Sequence, residues 1–395
     1  MNLYLWILLY LAALIGHMAF WIGLFNRMHG TSLNIRWIRR SSYPFVALGI
    51  VCLPVVLYQL TTRRDPGFQL APECFTALAG WWGIYTYACL AVFVVTFVFW
   101  LRRKSSEWKP PAQLVKQKKT HFDFSGSVLE CERNQTEKFF AAIPGNQIYQ
   151  CVVEEREIVL PGISDDLDGV TITHLSDFHL TGNICAAYFE KVVETAQSLQ
   201  SDMIAITGDI IDRNRCWDWV RDILGKLSAP KGVYYILGNH DQRVGRESEL
   251  REMMNHSGMI PVADSWKKIE IGGQAIHIAG NELPWFGKTM TISDTPDSFE
   301  PGDCRLLLSH SPDQWHWARQ NDFDLVLAGH THGGQIQLPW IGPIVSPSKH
   351  GVKYASGVFV QDGKVMVVTR GVSGEEPVRF FCPPEVGQLT IRSAG

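Results

Sequence analysis

Three apolar runs dominate the first hundred positions. Residues 3–25, 43–60 and 78–101 contain no Lys, Arg, Asp or Glu. A helix needs about 20 apolar residues to cross a hydrocarbon core of roughly 30 Å. The first and third runs have that length; the second is near the lower limit and contains Pro54. Beyond residue 150 the pattern becomes short apolar runs alternating with helical spacing. "CVVEEREIVL" (151–160), "GVTITHLSD" (169–177), "DMIAITGD" (202–209) and "GVYYILGNHD" (232–241) read as strands. Residues 185–200, "WDWVRDILGKL" (217–227) and "RESELREMMNHSG" (246–258) read as the helices between and after them. Further on, "KKIEIGGQAIHIAG" (267–280) and "GVFVQDGKVMVVT" (357–369) read as hairpins about Gly-Gly and Asp-Gly turns. "CRLLLSH" (304–310) and "FDLVLAGHTH" (323–332) read as strands flanking a helix at 313–320. The expected fold is α/β: a two-sheet sandwich flanked by helices, preceded by an N-terminal helical transmembrane region.

Charge divides the chain at the same place. Residues 1–120 hold 13 Lys/Arg against 3 Asp/Glu, while 121–395 hold 23 against 36. The acidic second part argues against nucleic acid as a partner, because binding phosphate backbones requires a basic face. The division gives a transmembrane region at 1–101, a basic juxtamembrane linker at 102–150 and an acidic α/β domain at 151–395. No cationic segment precedes the first apolar run, which exceeds a signal-peptide core and reads as a retained anchor. Arg27, Arg36, Arg39 and Arg40 lie in the first loop, and Arg102, Arg103 and Lys104 follow the third run. With three spans, these cations put both segments inside. The expectation is a multi-pass integral membrane protein with a cytoplasmic α/β domain. The nine cysteines show no CxxC spacing and read as free thiols.

The strand ends carry the chemistry. Asp177 and His179 follow "VTITHLS"; Asp209, Asp212 and Arg213 follow "DMIAITG"; Asn239 and His240 follow "VYYILG". His310 follows "RLLLS", and His330 and His332 follow "DLVLAG". Any one of these is more often an ordinary turn or polar loop. Five strands ending in carboxylate, imidazole or amide, in sheets whose ligands collect at the carboxyl ends of strands, are not explained that way.

The series "DFH…GDIIDR…GNHD…H…GHTH" resembles the calcineurin-like metallophosphoesterase superfamily over roughly 165–375. The tail "EEPVRFFCPPEVGQLTI" is similar to the last strands of its bacterial membrane-linked branch. The resemblance implies a metallophosphoesterase sandwich and two divalent metal ions. Asp177, His179, Asp209 and His332 would hold one ion, and Asp209, Asn239, His310 and His330 the other, with Asp209 bridging. His240 would act on the leaving group, Asp212 would orient it, and Arg213 matches the arginine of "GDxxDR". Asn214 stands where the family has glycine, so the local turn departs from the pattern.

The residue types suit that chemistry on physical grounds. Paired cations neutralise a phosphoester and acidify water between them. One carboxylate shared between imidazoles and an amide leaves net positive charge at the centre. His330 and His332, two apart, project the same way from an extended segment. A donor set of N and O without thiolate fits Mn²⁺, Zn²⁺ or Fe. The expected activity is hydrolysis of a phosphodiester, phosphomonoester or pyrophosphate by metal-activated water, with a membrane lipid as one substrate class. The rival readings are a general phosphodiesterase on soluble substrates and a non-catalytic membrane receptor or scaffold that keeps a metal site.

Overall fold

The computed structural model describes residues 3–29, 31, 40, 47, 81–107, 110–129, 134–263, 265–287 and 299–394. The chain separates into two units, Met1–Pro110 and Pro111–Gly395.

In the first unit, α1 (Leu3–His29) and α2 (Trp81–Glu107) are both long and apolar enough to cross a membrane. They pack through Gly16, where an added Cβ would strike the carbonyl of Cys89, and through a His17 Nδ1–Tyr85 Oη contact of 2.5 Å. Small residues at such a crossing let two backbones approach closely. The run at 43–60, expected as a second span, lies outside the described residues apart from position 47.

The second unit holds two sheets. The first is formed by β1 (Leu114–Asp123), β2 (Gln150–Val159), β3 (Thr171–Leu175), β4 (Met203–Thr207), β5 (Val233–Ile236), β6 (Met259–Pro261) and β15 (Glu385–Arg392), in the order β1-β2-β15-β3-β4-β5-β6. The second is formed by β7 (Trp266–Ile271), β8 (Gln274–Asn281), β9 (Cys304–Ser309), β10 (Leu325–Ala328), β13 (Gly357–Gln361) and β14 (Lys364–Val368), in the order β13-β14-β10-β9-β8-β7. A small ribbon, β11 (Gln337–Leu338) with β12 (Gly342–Pro343), stands apart from both.

Alternation along the strands explains the layering. Ile172, Ala205, Ile236, Ile278, Leu306, Leu308, Leu327 and Val367 form the apolar layer between the sheets. Leu175, Ile204, Ile206 and Tyr235 face the other way, onto Phe189, Val192, Val193 and Ala196 of α3 (Ala186–Ser198). The second sheet is covered outside by Trp315 and Ala318 of α4 (Trp315–Gln320) with Phe323. Both expected hairpins form, β7–β8 and β13–β14. The second sheet is nonetheless parallel at its centre, where β8, β9, β10 and β14 run side by side.

The stretch expected as a linker needs correcting. Lys116, Lys118 and Lys119 belong to β1, an edge strand antiparallel to β2. Lys116 faces Glu157, Lys118 faces Glu155 and Lys119 faces Glu154, with ion pairs of 2.9, 2.7 and 3.3 Å. A basic run read in isolation looks like a tether; opposite an acidic strand it is a charged sheet edge that resists pairing with another chain. The compact unit accordingly begins at Pro111 rather than 151.

Candidate metal centre

The carboxyl ends of β3, β4, β5, β9 and β10 meet at one edge of the sandwich, and the side chains just beyond them converge. His179 Nε2 lies 3.1 Å from His332 Nε2, 3.5 Å from Asp209 Oδ2 and 3.9 Å from Asp177 Oδ1. His332 Nε2 lies 3.6 Å from Asp177 Oδ1. On the other side of Asp209, His310 Nε2 is 3.3 Å from Oδ2 and 3.0 Å from the amide oxygen of Asn239. His330 completes a second group with Asp209 and His310. All seven expected ligands are therefore gathered, and Asp209 stands between the two groups.

Backbone hydrogen bonds fix this arrangement. The His330 N–H donates to both carboxylate oxygens of Asp177, at 3.1 and 3.0 Å, and the His240 N–H donates to Asp209 Oδ1 at 2.7 Å. Close approach explains the glycines. A Cβ at Gly238 would meet Asp209 Oδ1 at 2.3 Å, and one at Gly329 would meet Ser176 Oγ at 2.0 Å. Gly333 and Gly334 turn the chain with φ of 63° and 79°. Asp177, His179, Asp209, His330 and His332 themselves have φ between 45° and 69°. Left-handed backbone is costly for such residues, and its concentration on five of seven candidate ligands marks a functional site.

The protons show what is missing from a purely protein account. His310 Nδ1 faces the Thr207 carbonyl at 2.7 Å and donates to it, leaving Nε2 toward Asp209 and Asn239. His179 Nδ1 donates to Asp212 Oδ2 at 2.7 Å, leaving Nε2 toward His332 and two carboxylates. His332 Nδ1 lies 3.3 Å from both the Ser373 carbonyl and the Arg379 guanidinium, and its Nε2 points into the centre. Lone pairs and carboxylate oxygens thus point at one another, which is repulsive unless a positive charge lies between them. Two buried atoms at the centre, Asp209 Oδ2 and His330 Nε2, have no hydrogen-bond partner among the described residues. The residues fit divalent cations.

The pKa shifts express the same demand. Burial pushes His179 and His310 down, but neighbouring carboxylates outweigh it, Asp212 chiefly for His179 and Asp209 for His310, and each rises to about 9. Burial and the neighbouring charge of His310 hold His330 well below its usual range; burial and His179 do the same for His332. Without metal the cluster thus takes up protons where cations would sit.

Around this centre, Asp212 binds more than its expected partner. It meets His179, His240 Nδ1 at 2.5 Å and Arg243 Nη1 at 2.9 Å. Burial opposes its ionisation, yet the charges of His240 and His179 keep it far below the usual carboxylate range. Arg243 also approaches His240 Nε2 at 3.2 Å and pairs with Glu375 at 2.9 Å. Arg213 does not join this group. It is exposed, at the start of a short 3-10 turn, and has no hydrogen bond to the cluster among the described residues. The guanidinium next to His240 therefore comes from Arg243, which the sequence reading missed: four positions after Asn239, on a 3-10 turn, no periodicity marks it.

Trp285 lies in the loop that follows β8. Its ring packs 5.3 Å from His310 and 4.9 Å from His330, walling one side of the centre. Arg379 was missed as well. Wholly buried, it donates to the His332 carbonyl at 2.8 Å and supports that histidine from behind.

Comparison with known proteins agrees with this geometry. Residues 170–334 match the family described as calcineurin-like phosphoesterase. The chain is 31% identical to the uncharacterized metallophosphoesterase YkuE of Bacillus subtilis over 239 residues, covering 58% of this chain and 82% of that protein. It is 26% identical to the UDP-2,3-diacylglucosamine pyrophosphatase LpxG of Chlamydia muridarum over 280 residues, covering 58% and 85%. Identity to the phosphodiesterase YaeI of Escherichia coli is also 26%, over 56% of this chain and 81% of that protein. The chain belongs to the calcineurin-like phosphoesterases and is a metal-dependent hydrolase of phosphoric esters.

Proposed function

We propose that this enzyme holds two divalent ions, Mn²⁺, Zn²⁺ or Fe, between the two ligand groups and hydrolyses a phosphodiester or pyrophosphate carried by a membrane lipid. Asp177, His179, Asp209 and His332 hold one ion; Asp209, Asn239, His310 and His330 hold the other. The observation that carries this reading is the convergence of the His179 and His310 Nε2 atoms on the Asp209 carboxylate. When bound, such ions neutralise the phosphoryl group and acidify water.

The remaining residues handle orientation and protons. Asp212 fixes the His240 ring through Nδ1, so Nε2 is the atom that delivers a proton to the leaving oxygen. Arg243, beside that atom, offers a fork of donors to a non-bridging phosphoryl oxygen. Trp285 excludes water on the His310–His330 side. His240→Ala is expected to lower kcat by about 10²–10⁴-fold on a chromogenic phosphodiester with metal content unchanged. Full activity in that variant contradicts the assigned role.

The lipid-linked substrate rests on the apolar N-terminal helices and on the similarity to LpxG. Anchoring raises the effective concentration of a substrate confined to the same bilayer. The arginines flanking the spans favour a multi-pass topology with the catalytic unit cytoplasmic. Protease added to sealed right-side-out vesicles is expected to leave residues 111–395 intact; their digestion from outside overturns that orientation.

A further inference from the structure

The loop carrying His330 and His332 runs directly into the β11–β12 ribbon, whose outer surface is apolar. Ile336, Leu338, Trp340 and Val345 are exposed, Trp340 to 89%. Phe381, exposed to 62%, adjoins them, because the segment before it bonds to the ribbon: the Gln337 N–H donates to the Phe380 carbonyl at 2.9 Å. A soluble surface scatters such side chains singly; here they gather at the rim of one site.

The backbone adds a second observation. Trp340 and Phe381 have φ of 61° and 51°. Left-handed backbone is unfavourable for a bulky side chain, and at Trp340 it belongs to the three-residue turn that presents the indole at the ribbon's tip. Charge then selects the occupant. No Asp or Glu occurs between Asp324 and Asp362, while Lys349 and Lys353 are exposed just beyond the ribbon. In the segment after β14, Glu375 pairs with Arg243, and Glu376 is one exposed acid beside the ribbon, its carbonyl accepting from Gln335 Nε2 at 2.9 Å. An aromatic tip with flanking lysines suits the interface of an anionic bilayer, where indole sits at headgroup level and lysines meet anionic headgroups. The same chain also carries two helices able to span a bilayer, and residues 108–113 alone separate α2 from β1.

We propose that the ribbon of residues 335–345, with Phe381, inserts into the headgroup layer of an anionic membrane and brings the metal centre to phosphoesters at the bilayer surface. The proposal rests on the reading of the enzyme as membrane-anchored and extends it by naming the surface that meets the lipid.

The test uses the full-length chain reconstituted in vesicles of phosphatidylcholine and phosphatidylglycerol. A fluorescent amino acid replaces Trp340 in one sample and Asp362, on the β13–β14 turn, in another. Brominated acyl chains quench only fluorophores that enter the bilayer. Quenching at position 340 is expected to exceed that at 362 by about threefold or more, and to weaken when phosphatidylglycerol is omitted. Equal quenching at the two positions overturns the proposal. So does energy transfer between copies labelled at 340 without lipid quenching, which assigns the patch to a second copy of the chain. Turnover of a chromogenic phosphodiester by the same vesicles reports separately on the hydrolase reading, so the two can fail independently.

Discussion

Asp241 shows how much of the centre is fixed by residues that never touch an ion. Its Oδ1 accepts the Ile210 and Ile211 N–H groups, both at 2.9 Å, and its Oδ2 accepts the Gly238 N–H at 2.7 Å. One carboxylate thereby ties the loop holding Asp209 and Asp212 to the loop holding Asn239 and His240. Burial and the nearby charge of Asp209 push Asp241 up to about 7. Asp241→Asn is expected to destabilise the protein by about 1–3 kcal/mol, because one of its two acceptors becomes a donor facing N–H groups. It should also weaken metal retention although no ligand has changed. Thermal unfolding and metal analysis of the variant check both; unchanged values would mean the loops are held by something else. Reading residues alone named the seven side chains that converge here, because each follows an apolar strand. It assigned the guanidinium to Arg213 because "DR" is contiguous, whereas the one beside His240 is Arg243, brought in by a 3-10 turn.

At the scale of elements, a buried charge network joins strands far apart in sequence. Arg156 of β2 pairs with Glu154 at 2.9 Å and with Glu385 of β15 at 2.8 Å, and Arg370, just after β14, pairs with both acids. Removing one partner leaves an uncompensated buried charge, so Glu385→Ala is expected to cost about 3–5 kcal/mol and lower Tm. Acid acts on the same place. Burial opposes ionisation of Glu385, but Arg156 and Arg370 outweigh it and lower its pKa to about 2. Its stabilisation is therefore complete above the unfolded value near 4.3 and lost as pH falls toward 2. His174, held neutral by burial, is lowered to about 3. The unfolded chain takes up that proton below about 6.5, so stability also declines from there downward. Denaturant unfolding between pH 7 and 3 should show this fall in the wild type and a shallower one in Glu385→Ala, and a flat profile would contradict it. Element by element, the strands of 151–369 were legible from their apolar runs. The place of β15 between β2 and β3, and the sheet role of β1, were not. The first depends on pairings across more than two hundred residues and the second on a partner strand some thirty to forty residues on, neither of which local pattern encodes.

For the whole molecule, the chain joins an acidic hydrolase unit to apolar helices long enough to span a bilayer. The division of charge along the chain announced both parts, but it placed their boundary some forty residues late, since it took the edge strand for a tether. Sandwich and loops together hold seven side chains at one sheet edge, five of them in left-handed backbone conformations that such residues seldom adopt. That arrangement is stable only with positive charge at its centre. The most direct test is elemental analysis of the purified full-length protein, stripped by chelator and then reloaded, beside Asp209→Asn. The account predicts about two divalent ions per chain in the wild type and loss of both in the variant. A wild-type protein that retains none after reloading would contradict it.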